Sequence, residues 1–175
     1  MENFETKKVL SPWQAIIYIT VIAVGIALDQ LTKLLAVLHL APMPGKTLPI
    51  IEGVFHFTYC ENTGMAFSLL SGENQRWIFI VVSTITLAAL AVYLFIGQVP
   101  NRLYLSGILL ILSGGIGNMI DRIALGYVVD FIDVRLINFA VFNIADSFVT
   151  VGAGVLIAAL IVDIVKETRK ERREK

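Results

Sequence analysis

Most of the side chains able to do chemistry lie between Gly114 and Ser147, in a chain that is otherwise very apolar. They are Asp121, Asp130, Asp133 and Asp146, Arg122 and Arg135, and Asn118, Asn138 and Asn143. Two carboxylates facing one water cannot both ionise easily. Their pKa values split, so one serves as base and the other as acid, and the titration belongs to the pair. That is the chemistry of amide hydrolysis by an aspartic peptidase. Asp130 and Asp146 flank one short loop, which makes a meeting between them geometrically easy.

Each polar residue also has a plainer reading. Asp146 follows Asn143 by three residues, where a carboxylate can cap a helix start and favour the positive end of its dipole. Asp130, between Val129 and Phe131, could make a loop hydrogen bond. Asp121-Arg122 at a helix end read mainly as ion pairs that stitch helices together. Asp29 and Lys33 are four apart on one helical face and can pair in the same way. Asp133 reads as a solvated surface carboxylate, and Asn62 as a residue of the turn at 61–64. Asn118, in the glycine-rich end of an apolar run, needs a partner on another helix or a ligand.

Other chemistries are poorly supported. His56 and Cys60 share a strand spacing, but two ligands do not make a zinc site, so no metal is expected. Cys60 is the only cysteine, which excludes an intrachain disulfide. Ser147 has no neighbouring histidine, and the nucleophile-elbow and phosphate-loop signatures are absent. The basic tail lacks aromatic residues, so no nucleic acid is expected. No cofactor is implied.

The elements that must position these groups follow from composition. The chain has 175 residues, is 57% hydrophobic and only 16% charged. Its mean hydropathy is +0.78. The apolar residues are gathered into long runs, which predicts an integral membrane protein. Four spans are expected, at about 13–33, 77–96, 103–122 and 143–165, within a single membrane domain over 1–175. The basic start before the first run resembles a signal peptide, but no small-x-small site follows it, so an uncleaved span is expected. The segment at about 41–76 is broken by prolines and glycines and then alternates Phe, Thr and Tyr. It predicts a small β element lying on the membrane surface.

Depth counting places the carboxylates. Asp29 lies about 24 Å of helix beyond Trp13, and Asp121 about 27 Å beyond Leu103, each near the end of a roughly 30 Å crossing. Nine Lys and Arg fall on the side of the two termini and five on the other, so both termini are expected in the cytoplasm. Asp29, Asp121, Asp130 and Asp146 then share the outer face. The fold class expected is an all-α membrane bundle of four transmembrane helices with a small extracytoplasmic β element. A proton- or cation-coupled transporter is the alternative, because ionisable groups at membrane depth are often relays. The clustering of carboxylates at one interface argues against it. A third reading is a noncatalytic assembly factor that grips helices through small-residue faces.

The motifs resemble those of bacterial lipoprotein signal peptidase, also called signal peptidase II. The likeness covers nearly the whole chain. It is carried by Asp29-Gln30-Leu31-Thr32-Lys33, Asn62-Thr63-Gly64-Met65-Ala66-Phe67 and Gly117-Asn118-Met119-Ile120-Asp121-Arg122. Val129-Asp130-Phe131 and Phe142-Asn143-Ile144-Ala145-Asp146-Ser147 complete it. The resemblance implies that Asp130 and Asp146 are the catalytic dyad. Asn62, Asn118, Arg122 and Asn143 would bind substrate, with Asp29, Lys33, Gly64 and Asp121 in support. It implies a β cradle from the 41–76 segment over the site. It also implies a monomer in the bacterial inner membrane, in contact with lipid, that cleaves diacylglyceryl-modified prolipoproteins before the modified Cys. Ala140 stands where the family often has Pro.

Overall fold

The computed structural model describes residues 10–64, 74–97 and 99–174. Met65, Ala66 and Phe67 of the second motif lie outside them. Among the described residues, four helices are long and apolar enough to cross a membrane. They are α1 (Pro12–His39), α2 (Asn74–Phe95), α3 (Arg102–Ala124) and α4 (Ile144–Glu174). A three-stranded antiparallel sheet accompanies them: β1 (Thr47–Ile51), β2 (Phe55–Asn62) and β3 (Val128–Asp133), in that order. The chain is a multi-pass membrane protein. Large apolar side chains such as Ile16, Val24, Leu31, Ile85, Val92, Ile157 and Leu160 face outward and stay exposed. In water that surface would be costly; in lipid it is the expected one.

Local sequence sets the helix ends. Ser11 and Gln14 form a reciprocal capping box with Pro12 in the first turn of α1. Asn101 caps α3 by accepting from the N–H groups of Leu103 and Tyr104. Gly97 and Gly126 take positive φ just past α2 and α3, where a side chain would be strained. Helix α1 runs past Lys33 to His39, because Leu34 to Leu38 continue a good helical sequence and the first proline comes only at Pro42. Asp29 and Lys33 therefore sit within the helix, not at its end. Helix α4 carries the charged tail on to Glu174.

Among the described residues, two apolar clusters hold the elements together. One joins Leu87 and Leu94 of α2 to Ile108, Leu109 and Leu112 of α3. The other packs Ala36 and Leu40, at the end of α1, against Tyr59, Val129 and Phe131 of the sheet. The sheet is thereby docked on the same end of the bundle as the polar motifs. Glycines allow the closest helix approach. A Cβ on Gly114 would run into the carbonyl of Ala145, which is backbone and cannot swing aside.

The sheet corrects one expectation. Its third strand comes from the loop between α3 and α4, outside the 41–76 segment, and pairs His56 with Asp133, Cys60 with Asp130 and Asn62 with Val128. A register shift between Phe57 and Cys60 breaks strict alternation there. Asp133 is also not a solvated carboxylate: it is buried, accepts from Thr58 at 2.7 Å and pairs with Arg135 at 2.9 Å. Burial pushes its pKa up, but the Thr58 hydroxyl and the Arg135 guanidinium outweigh that and hold it below the usual carboxylate value.

Candidate active site

The last two motifs meet at the junction of β3 and α4. Asp130 projects from the middle of β3, and Asp146 is the third residue of α4. Asn143 precedes α4 and joins the two aspartates. Its Oδ1 accepts from the Asp146 N–H at 2.8 Å, and its own N–H donates back to Asp146 Oδ2 at 3.1 Å. This is a capping box in which the capping acid is a candidate catalytic residue. The Asn143 amide nitrogen, fully buried, donates to Asp130 Oδ1 at 2.7 Å. The capping reading of Asp146 and the chemical one are thus not rivals: one oxygen carries the cap and the other faces the site.

All four carboxylate oxygens receive an N–H. Asn62 donates to Asp130 Oδ2 at 2.9 Å, and Asn118 donates to Asp146 Oδ1 at 2.7 Å. Asn62 is oriented by the Gly64 N–H, which donates to its Oδ1 at 2.9 Å. Gly64 holds φ +88°, a conformation that suits glycine. Asp130 is almost completely buried, and burial, with a smaller push from the Asp146 charge, raises its pKa to about 6; the Asn62 and Asn143 donors oppose the shift.

Behind the aspartates lies a buried ionic node. Lys33 reaches Asp29 at 2.8 Å and Asp121 at 2.9 Å, and donates to Asn118 Oδ1 at 2.9 Å. Asp121 does form the helix-stitching ion pair expected of it, and its cation is Lys33 of α1. Arg122 donates to the Asn118 carbonyl at 3.3 Å and lies 5.7 Å from the Phe79 ring centre. Gln30, given no role from sequence, donates to Asp121 at 2.9 Å and to the Gly117 carbonyl at 3.2 Å. Its place inside the first motif is the only signal for it. A groove of about 320 Å³ opens beside Asp146, lined by Ser83, Gly115, Asn118 and Arg122 among others.

Every predicted site residue among Asp29, Lys33, Asn62, Gly64, Asn118, Asp121, Asn143, Asp130 and Asp146 belongs to one hydrogen-bonded assembly. Arg122 borders it along the groove. Fold and site together define a multi-pass membrane protein with a paired-carboxylate centre at one end of its bundle.

A family profile described as Signal peptidase (SPase) II matches residues 21–162. A lipoprotein signal peptidase of Trichormus variabilis is 48% identical over 149 residues, covering 84% of this chain and 89% of that one. One of Clostridioides difficile is 48% identical over 138 residues, covering 78% of this chain and 88% of its own. A bacterial membrane enzyme solved by the in meso method at 1.9 Å superposes with a TM-score of 0.71 at 35% identity, over 82% of this chain and 92% of the other. The chain belongs to the signal peptidase II family and is a peptidase. The transporter alternative finds no support among these relatives.

Proposed function

We propose that the protein removes signal peptides from diacylglyceryl-modified prolipoproteins, cutting on the N-terminal side of the modified Cys by aspartic catalysis. The relatives are named lipoprotein signal peptidases, which supports the substrate class. The observation that carries the catalytic type is the shared asparagine: Asn143 binds Asp130 through its amide and Asp146 through its cap, so one residue holds both carboxylates to a common point.

In this reading a water between the two aspartates attacks the scissile carbonyl. Asp146 takes the water's proton. Asp130, whose carboxyl is pushed up to about 6, gives its proton to the carbonyl oxygen; as the C–N bond breaks, Asp146 passes the proton taken from water to the leaving amine, and a hydroxyl of the gem-diol returns one to Asp130. Asn118 and Arg122 line the groove where substrate backbone would lie, and Asn62 and Asn143 hold Asp130. The groove between α2, α3 and α4 gives the signal segment a place beside Asp146 while it stays in the bilayer. The lysine and arginine distribution supports both termini in the cytoplasm, and hence a site at the outer face of the bacterial inner membrane.

Purified protein in detergent, given a lipid-modified prolipoprotein, should produce the size shift of cleavage. Asp130→Asn and Asp146→Asn, each with a native unfolding profile, should abolish it. Full cleavage by either variant refutes the dyad.

A further inference from the structure

We propose that Lys33 is a positioning residue for the dyad: by pinning Asn118 Oδ1 it turns the Asn118 amide so that its N–H, not its oxygen, faces Asp146. The proposal rests on the dyad reading above.

An asparagine side chain presents a carbonyl oxygen on one edge and an NH₂ on the other, and flipping it exchanges donor for acceptor. Against a carboxylate only the donor edge is tolerable. Asn118 bonds Asp146 on one edge, so whatever fixes its other edge decides what Asp146 meets. That edge faces Lys33 Nζ at 2.9 Å and the Asn143 amide nitrogen at 3.1 Å. An ammonium has three donors and no acceptor, so it admits only the oxygen. The Asn143 nitrogen meets the same oxygen, but an amide keeps its donor edge there only while its own oxygen stays on the Asp146 N–H, whereas the ammonium cannot accept in any orientation.

Lys33 is in turn fully committed. Its three protons have three acceptors: Asp29 Oδ2, Asp121 Oδ2 and Asn118 Oδ1. The two carboxylates that hold it are anchored at telling places. Asp29 accepts from the N–H of Ala145 at 3.0 Å, and Asp121 from the N–H of Val129 at 3.1 Å. These are the residues immediately before Asp146 and Asp130. The ammonium therefore sits at the centre of a frame that holds the backbone beside each aspartate and, through Asn118, one carboxylate itself. The amide of Asn62 is locked by the same logic, its obligate donor being the Gly64 N–H. Lys33 is 3% exposed and lies behind the aspartates, so it orients the site without lining the groove.

The test is a mutant cycle between Lys33 and Asn118. Lys33→Met alone would strand two buried carboxylates, so it is paired with Asp29→Asn, which leaves the charge of the node at its original value. The amide introduced by Asp29→Asn still offers an oxygen to the Ala145 N–H. Cleavage of a lipid-modified prolipoprotein by K33M/D29N should lose about 30-fold in kcat, the loss of one hydrogen bond to a charged group. KM should stay within about twofold. Put into Asn118→Ala, the same two substitutions should cost less than about threefold, because the amide they act through is gone. An equal loss in both backgrounds means that Lys33 serves only the packing of the helices and overturns the proposal. If K33M/D29N lacks a native unfolding profile, Asn118→Asp decides instead: Lys33 keeps one new oxygen, and the other opposes Asp146. The opposed buried carboxylates should lower stability and cost over a hundredfold in kcat; activity within threefold of the parent overturns the proposal. Asp146→Asn in the same assay separates the two readings, since full cleavage there refutes the dyad whatever Lys33 does.

Discussion

Asn143 does two jobs, and two substitutions pull them apart. As the cap of α4 it accepts the Asp146 N–H through Oδ1. As a donor it supplies Asp130 through the amide nitrogen at 2.7 Å. Asn143→Ser retains an oxygen close to the backbone and caps about as well as asparagine. Its hydroxyl is too short to reach Asp130. Asn143→Ala loses both functions. Stability should therefore separate the variants by about 1 kcal/mol, the worth of a cap. Activity should not separate them: each forfeits a hydrogen bond to a charged group, about 1.5–3 kcal/mol, and kcat falls roughly ten- to a hundredfold in both. Unfolding in detergent reads the first quantity and prolipoprotein cleavage the second. If serine restores activity in step with stability, Asn143 is only a cap and the link between the aspartates carries no catalytic weight.

Four further perturbations follow from the geometry. Because the Asp130 carboxyl is raised from 3.8 to about 6, the folded chain holds a proton there that the unfolded chain has released, so stability declines as pH rises through that window, by roughly 3 kcal/mol. Asp130→Asn should remove this decline, and an unchanged slope of unfolding stability against pH refutes it. Asp133 has the opposite sign: its depressed pKa contributes stability above pH 3.8 that is lost as pH falls further, so Arg135→Leu should move acid unfolding to higher pH, read by circular dichroism. Gly114→Ala forces a methyl against the Ala145 carbonyl and should cost about 1–3 kcal/mol of stability and lower kcat by shifting the start of α4. Gly154→Ala, with open space around it, should leave cleavage unchanged and stabilise the helix by up to about 1 kcal/mol.

The four helices are legible because a membrane crossing demands long apolar runs, and a chain of 57% hydrophobic residues shows them directly. Their ends are less so. Nothing in Leu34 to Leu38 marks a membrane boundary, so α1 continues to His39, beyond the expected end of its span. The strands β1 and β2 fall within the expected 41–76 segment, but β3 lies outside it, in the loop between α3 and α4. Its partners are distant in sequence, and pairing partners leave no mark in the strand itself. Asp133 is misread for the same reason: Thr58, which covers it, is 75 residues away.

The sequence by itself determined the class of molecule and the inventory of its chemistry. Run length sets the number of crossings, and the order of motifs points to the family and to Asp130 and Asp146. Only the tertiary structure decided what those residues do to one another. Asn143 could be seen as a cap, but not as the donor to Asp130. Asp121 could be seen as ion-paired, but not that its cation is Lys33. The turning of Asn118 by Lys33 depends on a 2.9 Å contact between α1 and α3. Hydrogen bonds and charges act over a few ångströms, and residues far apart in the chain reach that range only when the helices close around them.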